Sequence, residues 1–142
     1  MDAALLIHGG ATWAMAGVLI MVQIVVYPAM ALVPPTAFRR YERAYQRAMA
    51  RALATIAPIE AATAIWLIVV PGEVPIWMSL AGGAMLGGLW LVTAIVFVPI
   101  HTALGAGFDA PLQQRLVATN WIRTIGWIIR GLIVAAMFAA VG

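Results

Sequence analysis

The sequence predicts an all-α integral membrane protein, an up-down-up-down four-helix bundle filling one domain over 1–142, and three observations carry that reading. Of 142 residues, 65% are hydrophobic and only 9% charged, against roughly 25% charged in a soluble domain. The mean hydropathy of +1.02 implies more apolar surface than a 15.1 kDa soluble protein can bury, so the bilayer must be the solvent. Two stretches, 3–38 and 74–108, hold no Asp, Glu, Lys or Arg, and each exceeds the ~20 residues that a tilted membrane helix needs.

Taken in order, the first helix is expected over about 5–32, with Pro28 kinking its last turns and Pro34-Pro35 closing it. It does not read as a secretory signal, because no Lys or Arg precedes Arg39 and the apolar run is too long. Thr36 is placed to cap a second helix over 37–70, which Pro71-Gly72 terminates. A third helix over 75–104 opens with Pro75 at an N1-like position and ends at Gly105 and Gly107. The fourth begins after Pro111 and covers 112–141. Short connections at 33–36, 71–74 and 105–111 force antiparallel neighbours.

The charges are few: eight arginines, no lysine, and the acids Asp2, Glu42, Glu60, Glu73 and Asp109. A pI near 10.2 would suggest nucleic acid in a soluble chain; here it reports topology, and no nucleic-acid partner is expected. Seven of the eight arginines lie toward the 33–36 and 105–111 connections, with Arg130 alone leaning the other way. The positive-inside rule then puts both termini outside the cytoplasm. Absence of cysteine excludes disulfides, thiolate metal sites and a cysteine nucleophile. No phosphate loop and no HExxH motif is present, and the eight methionines lack a paired spacing for copper.

On the second helix, Arg40, Arg43, Arg47 and Arg51 fall within a stripe of about 80°. That stripe reads as an amphipathic surface whose arginines reach lipid phosphates, or as a strip for an anionic substrate. Glu42 and Glu60 are eighteen residues apart and point together away from the stripe, toward the bundle interior. A carboxylate at mid-membrane costs ~2.5–3.5 kcal/mol unless paired or protonated.

The other helices each have one polar side as well: His8, Thr12, Gln23 and Tyr27; Trp90, Phe97 and His101; Asn120, Arg123, Thr124, Trp127 and Arg130. Folding the chain about its turns sorts these groups into two layers. The inner layer holds Gln23, Tyr27, Glu42, Tyr45, Gln46 and His101, with Asn120 and Arg123 just deeper. The outer layer holds His8, Glu60 and Arg130, ~22 Å away at 1.5 Å per residue. The outer set is expected to be a buried ionic cluster, either locking two helices together or changing protonation on binding. In the inner layer Glu42 and His101 suit an acid–base pair, with Asn120 and Arg123 stabilising negative charge. Gln23, Tyr27, Tyr45, Trp90 and Trp127, with Trp121 a further candidate, would line a pocket for a small hydrophobic ligand. Metal ligation needs about three favoured groups, and the layer offers two, so no metal site is assigned. The residues name no cofactor. Gly83-xxx-Gly87 and Ala84-xxx-Gly88 suit close helix packing, within the bundle or in a homo-oligomer.

The strings VQIVVYP at 22–28, FRRYERAY from Phe38 to Tyr45, PIE at 58–60, VPIHTAL at 98–104, GFD at 107–109 and NWIRTIGWIIR at 120–130 together resemble a group of uncharacterised four-helix membrane proteins of bacteria. More loosely, the layout is similar to anthrone-oxygenase-like membrane proteins, which are cofactor-independent oxygenases. The resemblance implies a four-helix bundle of a bacterial inner membrane. Relatives of that kind tend to carry His where this chain has Glu42, so a His pair with His101 is not available here. Two functions from different classes remain. One is a membrane-embedded enzyme, oxidoreductase- or oxygenase-like, acting on a small hydrophobic molecule. The other is a proton-coupled transporter or channel subunit, with a purely structural or accessory subunit as the plainest alternative. Membrane lipid is the expected surrounding partner.

Overall fold

The computed structural model describes residues 3–70 and 72–142. Among them are four helices and no strand: α1 Ala3–Met30, α2 Pro35–Val69, α3 Ile76–Leu104 and α4 Ala110–Val141. All four are long and apolar enough to cross a membrane. Each packs on its chain neighbours, and α4 returns against α1, which closes the ring.

The ends differ from expectation in ways that proline explains. Thr36 is not a cap: Pro34 takes the cap position in an extended conformation and Pro35 opens α2. Pro35 fits the first helical position because its φ is preset and its missing N–H would be unpaired there anyway. Pro75 likewise occupies the cap position, and α3 starts at Ile76. The fourth helix starts earlier than 112, because the Asp109 carboxylate accepts the Leu112 amide at 2.8 Å and caps it. Pro71, assigned with Gly72 as the terminator of the second helix, lies outside the described residues.

Two helices widen in mid-span. The Tyr27 amide reaches back five residues to the Val22 carbonyl, and the Val98 amide does the same to Thr93. A proline follows each widened turn, Pro28 and Pro99. Proline removes an amide and crowds the carbonyl four residues back, and one extra residue in the preceding turn relieves that crowding. Instead of the simple kink expected at Pro28, α1 therefore has a π turn. Ile24-Val25-Val26-Tyr27-Pro28 and Ile95-Val96-Phe97-Val98-Pro99 are locally alike, a likeness that a search for repeats by period does not register.

Large apolar side chains cover much of the outside, and many of the polar groups lie within the apolar core. Leu6, Ile24, Leu32, Val69, Trp77 and Ile95 are among many exposed large hydrophobics, whereas Gln23, Glu42, Glu60, Asn120, Arg123 and Arg130 are buried. Such a distribution suits hydrocarbon as solvent, where polar groups must find partners within the protein.

Candidate functional site

The inner polar residues meet where α1, α2, α3 and α4 converge just below the π turns. Glu42 is fully buried, and its Oε1 lies 2.7 Å from His101 Nδ1. With the carboxylate accepting from Nδ1–H, Nε2 is left to accept a proton, and the Tyr27 hydroxyl stands 2.9 Å from it. Arg123 Nη2 donates to the Tyr27 oxygen at 3.1 Å. The guanidinium is itself held by Asn120 Oδ1, at 2.9 Å from Nε and 2.6 Å from Nη2, and it lies 3.7 Å over the Phe97 ring. Asn120 Nδ2 donates to Gln23 Oε1 at 2.9 Å, and Gln23 donates to the Val117 carbonyl at 3.2 Å. Carboxylate, imidazole, phenol and guanidinium thus form one chain of hydrogen bonds across the bundle.

Gln46 secures the carboxylate end. Its Nε2 donates to Glu42 Oε1 at 3.0 Å and to the His101 carbonyl at 2.7 Å, which ties α2 to α3 at this level. Glu42 Oε2 is buried with no hydrogen-bond partner among the described residues. Tyr45 packs beside both partners, with ring centroids 6.2 Å from Tyr27 and 5.7 Å from His101.

A cavity of about 220 Å³ adjoins this chain. Tyr27, His101 and Arg123 form its polar end, while Met15, Leu19, Leu53, Trp90 and Trp127 form its apolar walls. Its exposed lining residues, Ala50 on α2 and Val98 and Thr102 on α3, mark a mouth between those two helices. Trp90 and Trp127 meet edge to face at 6.0 Å. Trp121, a further candidate for the lining, is 47% exposed and lies on the outside.

The outer set is tied together differently from expectation. Arg130 pairs with Glu60 Oε1 at 3.1 Å through Nη2 and 3.3 Å through Nε, and its Nη1 donates to the Gly82 carbonyl. Trp127 Nε1 donates to Glu60 Oε2 at 3.3 Å, so this carboxylate is satisfied on both oxygens. His8 bonds neither of them through its side chain; its Nδ1 lies 2.9 Å from Thr63 Oγ1. The cluster is an ion pair with His8 as a neighbour.

Gln113 escaped the sequence reading. It is buried, and its Nε2 donates to the Tyr27 carbonyl at 2.8 Å. Helical continuation would give that carbonyl the Ala31 amide, which bonds Pro28 instead as α1 ends. Gln113 precedes Asn120 by seven residues, two helical turns, and that spacing marks it as interior. Among the described residues no three of His, Cys, Asp and Glu gather at one point. Gly83 faces α2, where an added Cβ would stand 2.8 Å from Ile68, whereas Gly87 and Gly88 face open space. No protein-family model, curated protein or solved structure matches the chain.

Proposed function

We propose that the protein is a membrane-embedded enzyme that takes a proton from a small hydrophobic ligand. The observation that carries this reading is the Glu42–His101–Tyr27 chain ending, beside Arg123, at the polar end of an otherwise apolar cavity. A ligand O–H or acidic C–H placed there gives its proton to the Tyr27 oxygen while the Tyr27 proton passes to His101 Nε2. The imidazolium that forms is paired with Glu42, and the ligand anion is left facing the Arg123 guanidinium. Catalytic roles go to Tyr27, His101 and Arg123. Glu42, Gln46 and Asn120 position them, and Tyr45, Trp90 and Trp127 shape the space.

An anion made this way in an apolar pocket is electron-rich, which suits the oxygenase-like chemistry implied by the sequence resemblance, with dioxygen as the oxidant. The mouth opens sideways between α2 and α3 rather than at an end of the bundle, as suits a ligand that partitions into the bilayer. Passage of protons or solute across the membrane is less well supported. Met15, Ala16, Leu19, Leu86 and Leu89 form an apolar belt between the inner and outer polar layers. The arginine distribution supports an orientation with both termini outside the cytoplasm, and the sequence resemblance supports a bacterial inner membrane.

The test uses a hydrophobic nitrophenol whose anion absorbs in the visible, titrated into the protein in nanodiscs at a pH where the free probe is neutral. Wild type is expected to give saturable appearance of the phenolate band, and Arg123→Gln and His101→Gln to remove it. A probe that stays neutral on the wild-type protein, or a band equally strong in His101→Gln, would sink the assignment.

A further inference from the structure

We propose that the arginine face of α2 is a binding site for the phosphate groups of an anionic lipid headgroup, preferably one that carries two phosphates. Arg39, Arg40, Arg43 and Arg47, with Thr36, line an open concavity of about 440 Å³ on the outside of the bundle. All five are exposed, and the two ion pairs among the described residues, Glu42–His101 and Glu60–Arg130, involve none of them.

Four guanidiniums packed at i,i+3 and i,i+4 spacing repel one another, and no ion pair among the described residues offsets that repulsion. They occupy the second to fourth turns of a 35-residue helix, and Thr36, in its first turn, adds a hydroxyl at the same concavity. Cations and hydroxyl therefore converge on one kind of ligand, an oxyanion. Guanidinium takes phosphate through two parallel N–H bonds, and two phosphates give each pair of arginines one such partner.

Depth selects a lipid over a soluble phosphate. A helix needs ~20 residues to cross the hydrocarbon, so α2 has on the order of fifteen to spare. The arginine-bearing turns from Pro35 to Arg51 are that excess, and beyond them the helix continues as an apolar span. The concavity therefore lies at headgroup level with acyl-binding surface directly below it. Arg51 lies one turn further and outside the concavity, its Nε turned to the Arg47 carbonyl.

The experiment is native mass spectrometry of the full chain released from detergent, with diphosphatidylglycerol, phosphatidylglycerol or phosphatidylcholine added in turn, and pyrophosphate as a soluble competitor. Expected are retention in the order diphosphatidylglycerol, phosphatidylglycerol, phosphatidylcholine, and a loss of about tenfold or more in Arg40→Gln/Arg43→Gln. Arg51→Gln retains lipid like wild type. If the double variant does not fold, wild type in about 0.5 M salt serves in its place, because screening should remove the preference for the anionic lipids. Equal retention of phosphatidylcholine, undiminished binding after the double substitution or in high salt, or displacement by pyrophosphate at concentrations equal to the lipid would each overturn the proposal.

Discussion

Glu60 and Arg130 show what a single buried charge demands in this protein. Each is almost completely enclosed, and together with Trp127 and the Gly82 carbonyl they satisfy one another. Removing one partner strands the other, so Arg130→Met is expected to cost about 3–5 kcal/mol in denaturant unfolding from detergent micelles. The double change Glu60→Leu/Arg130→Met should recover most of that loss, because two apolar side chains leave no unpaired charge. A single variant as stable as wild type would show that the pair does not hold α2 to α4. Residues on fixed helical geometry were the most legible part of the site. The five-turn separation of Glu42 from Glu60 and the mirrored depth of His101 place Glu42 and His101 together, and the structure has them 2.7 Å apart. His8 shows the limit of that reasoning. Depth alone puts it level with Glu60, but contact also depends on how far each helix is rotated about its axis, and the His8 side chain bonds Thr63.

At the scale of the helices, the two π turns determine how the cavity is lined. Each lies one residue before a Tyr-Pro or Val-Pro step, and Val22, Tyr27, Thr93 and Phe97 all reach the cavity. The prolines are plain in the sequence. The widened turn is not, because a kink or an extra residue can relieve the same crowding and packing decides between them. Pro28→Ala restores an amide and removes that crowding, so α1 is expected to relax toward regular α-helix and turn Gln23 away from Asn120. The predicted outcome is unchanged helical content by circular dichroism with loss of nitrophenol binding; retained binding would mean that the π turn does not shape the site. The α1–α4 contact makes a sharper contrast. At Gly131 an added Cβ would stand 2.8–3.0 Å from the Trp13 indole, whereas at Gly17 it meets nothing within 4 Å. Gly131→Ala should destabilise by about 1–3 kcal/mol through overpacking. Gly17→Ala should gain up to about 1 kcal/mol from helix propensity. Equal effects on the unfolding midpoint would show that the rigid indole gives way.

For the molecule as a whole, composition alone fixed the solvent: 65% hydrophobic residues leave an apolar exterior and drive the scarce polar groups inward. The cavity was less legible, because its shape depends on the separation of α2 and α3 near Ala50 and Val98, which no spacing rule sets. Orientation is directly testable, since the chain holds no cysteine of its own. In right-side-out vesicles a membrane-impermeant maleimide should label Gly142→Cys and leave Ala37→Cys unlabelled until the membrane is opened; the reverse pattern would invert the topology. The central claim is that the inner network removes a proton from a hydrophobic molecule held in the cavity. It is tested most directly by deuterium exchange in D₂O into an enolisable bicyclic ketone, 2-tetralone, with the protein in nanodiscs. Wild type is predicted to exchange the acidic C–H positions well above the empty-nanodisc rate, and His101→Gln to lower that acceleration on the order of a hundredfold or more. Exchange no faster than in empty nanodiscs, or unaffected by His101→Gln, would contradict the account.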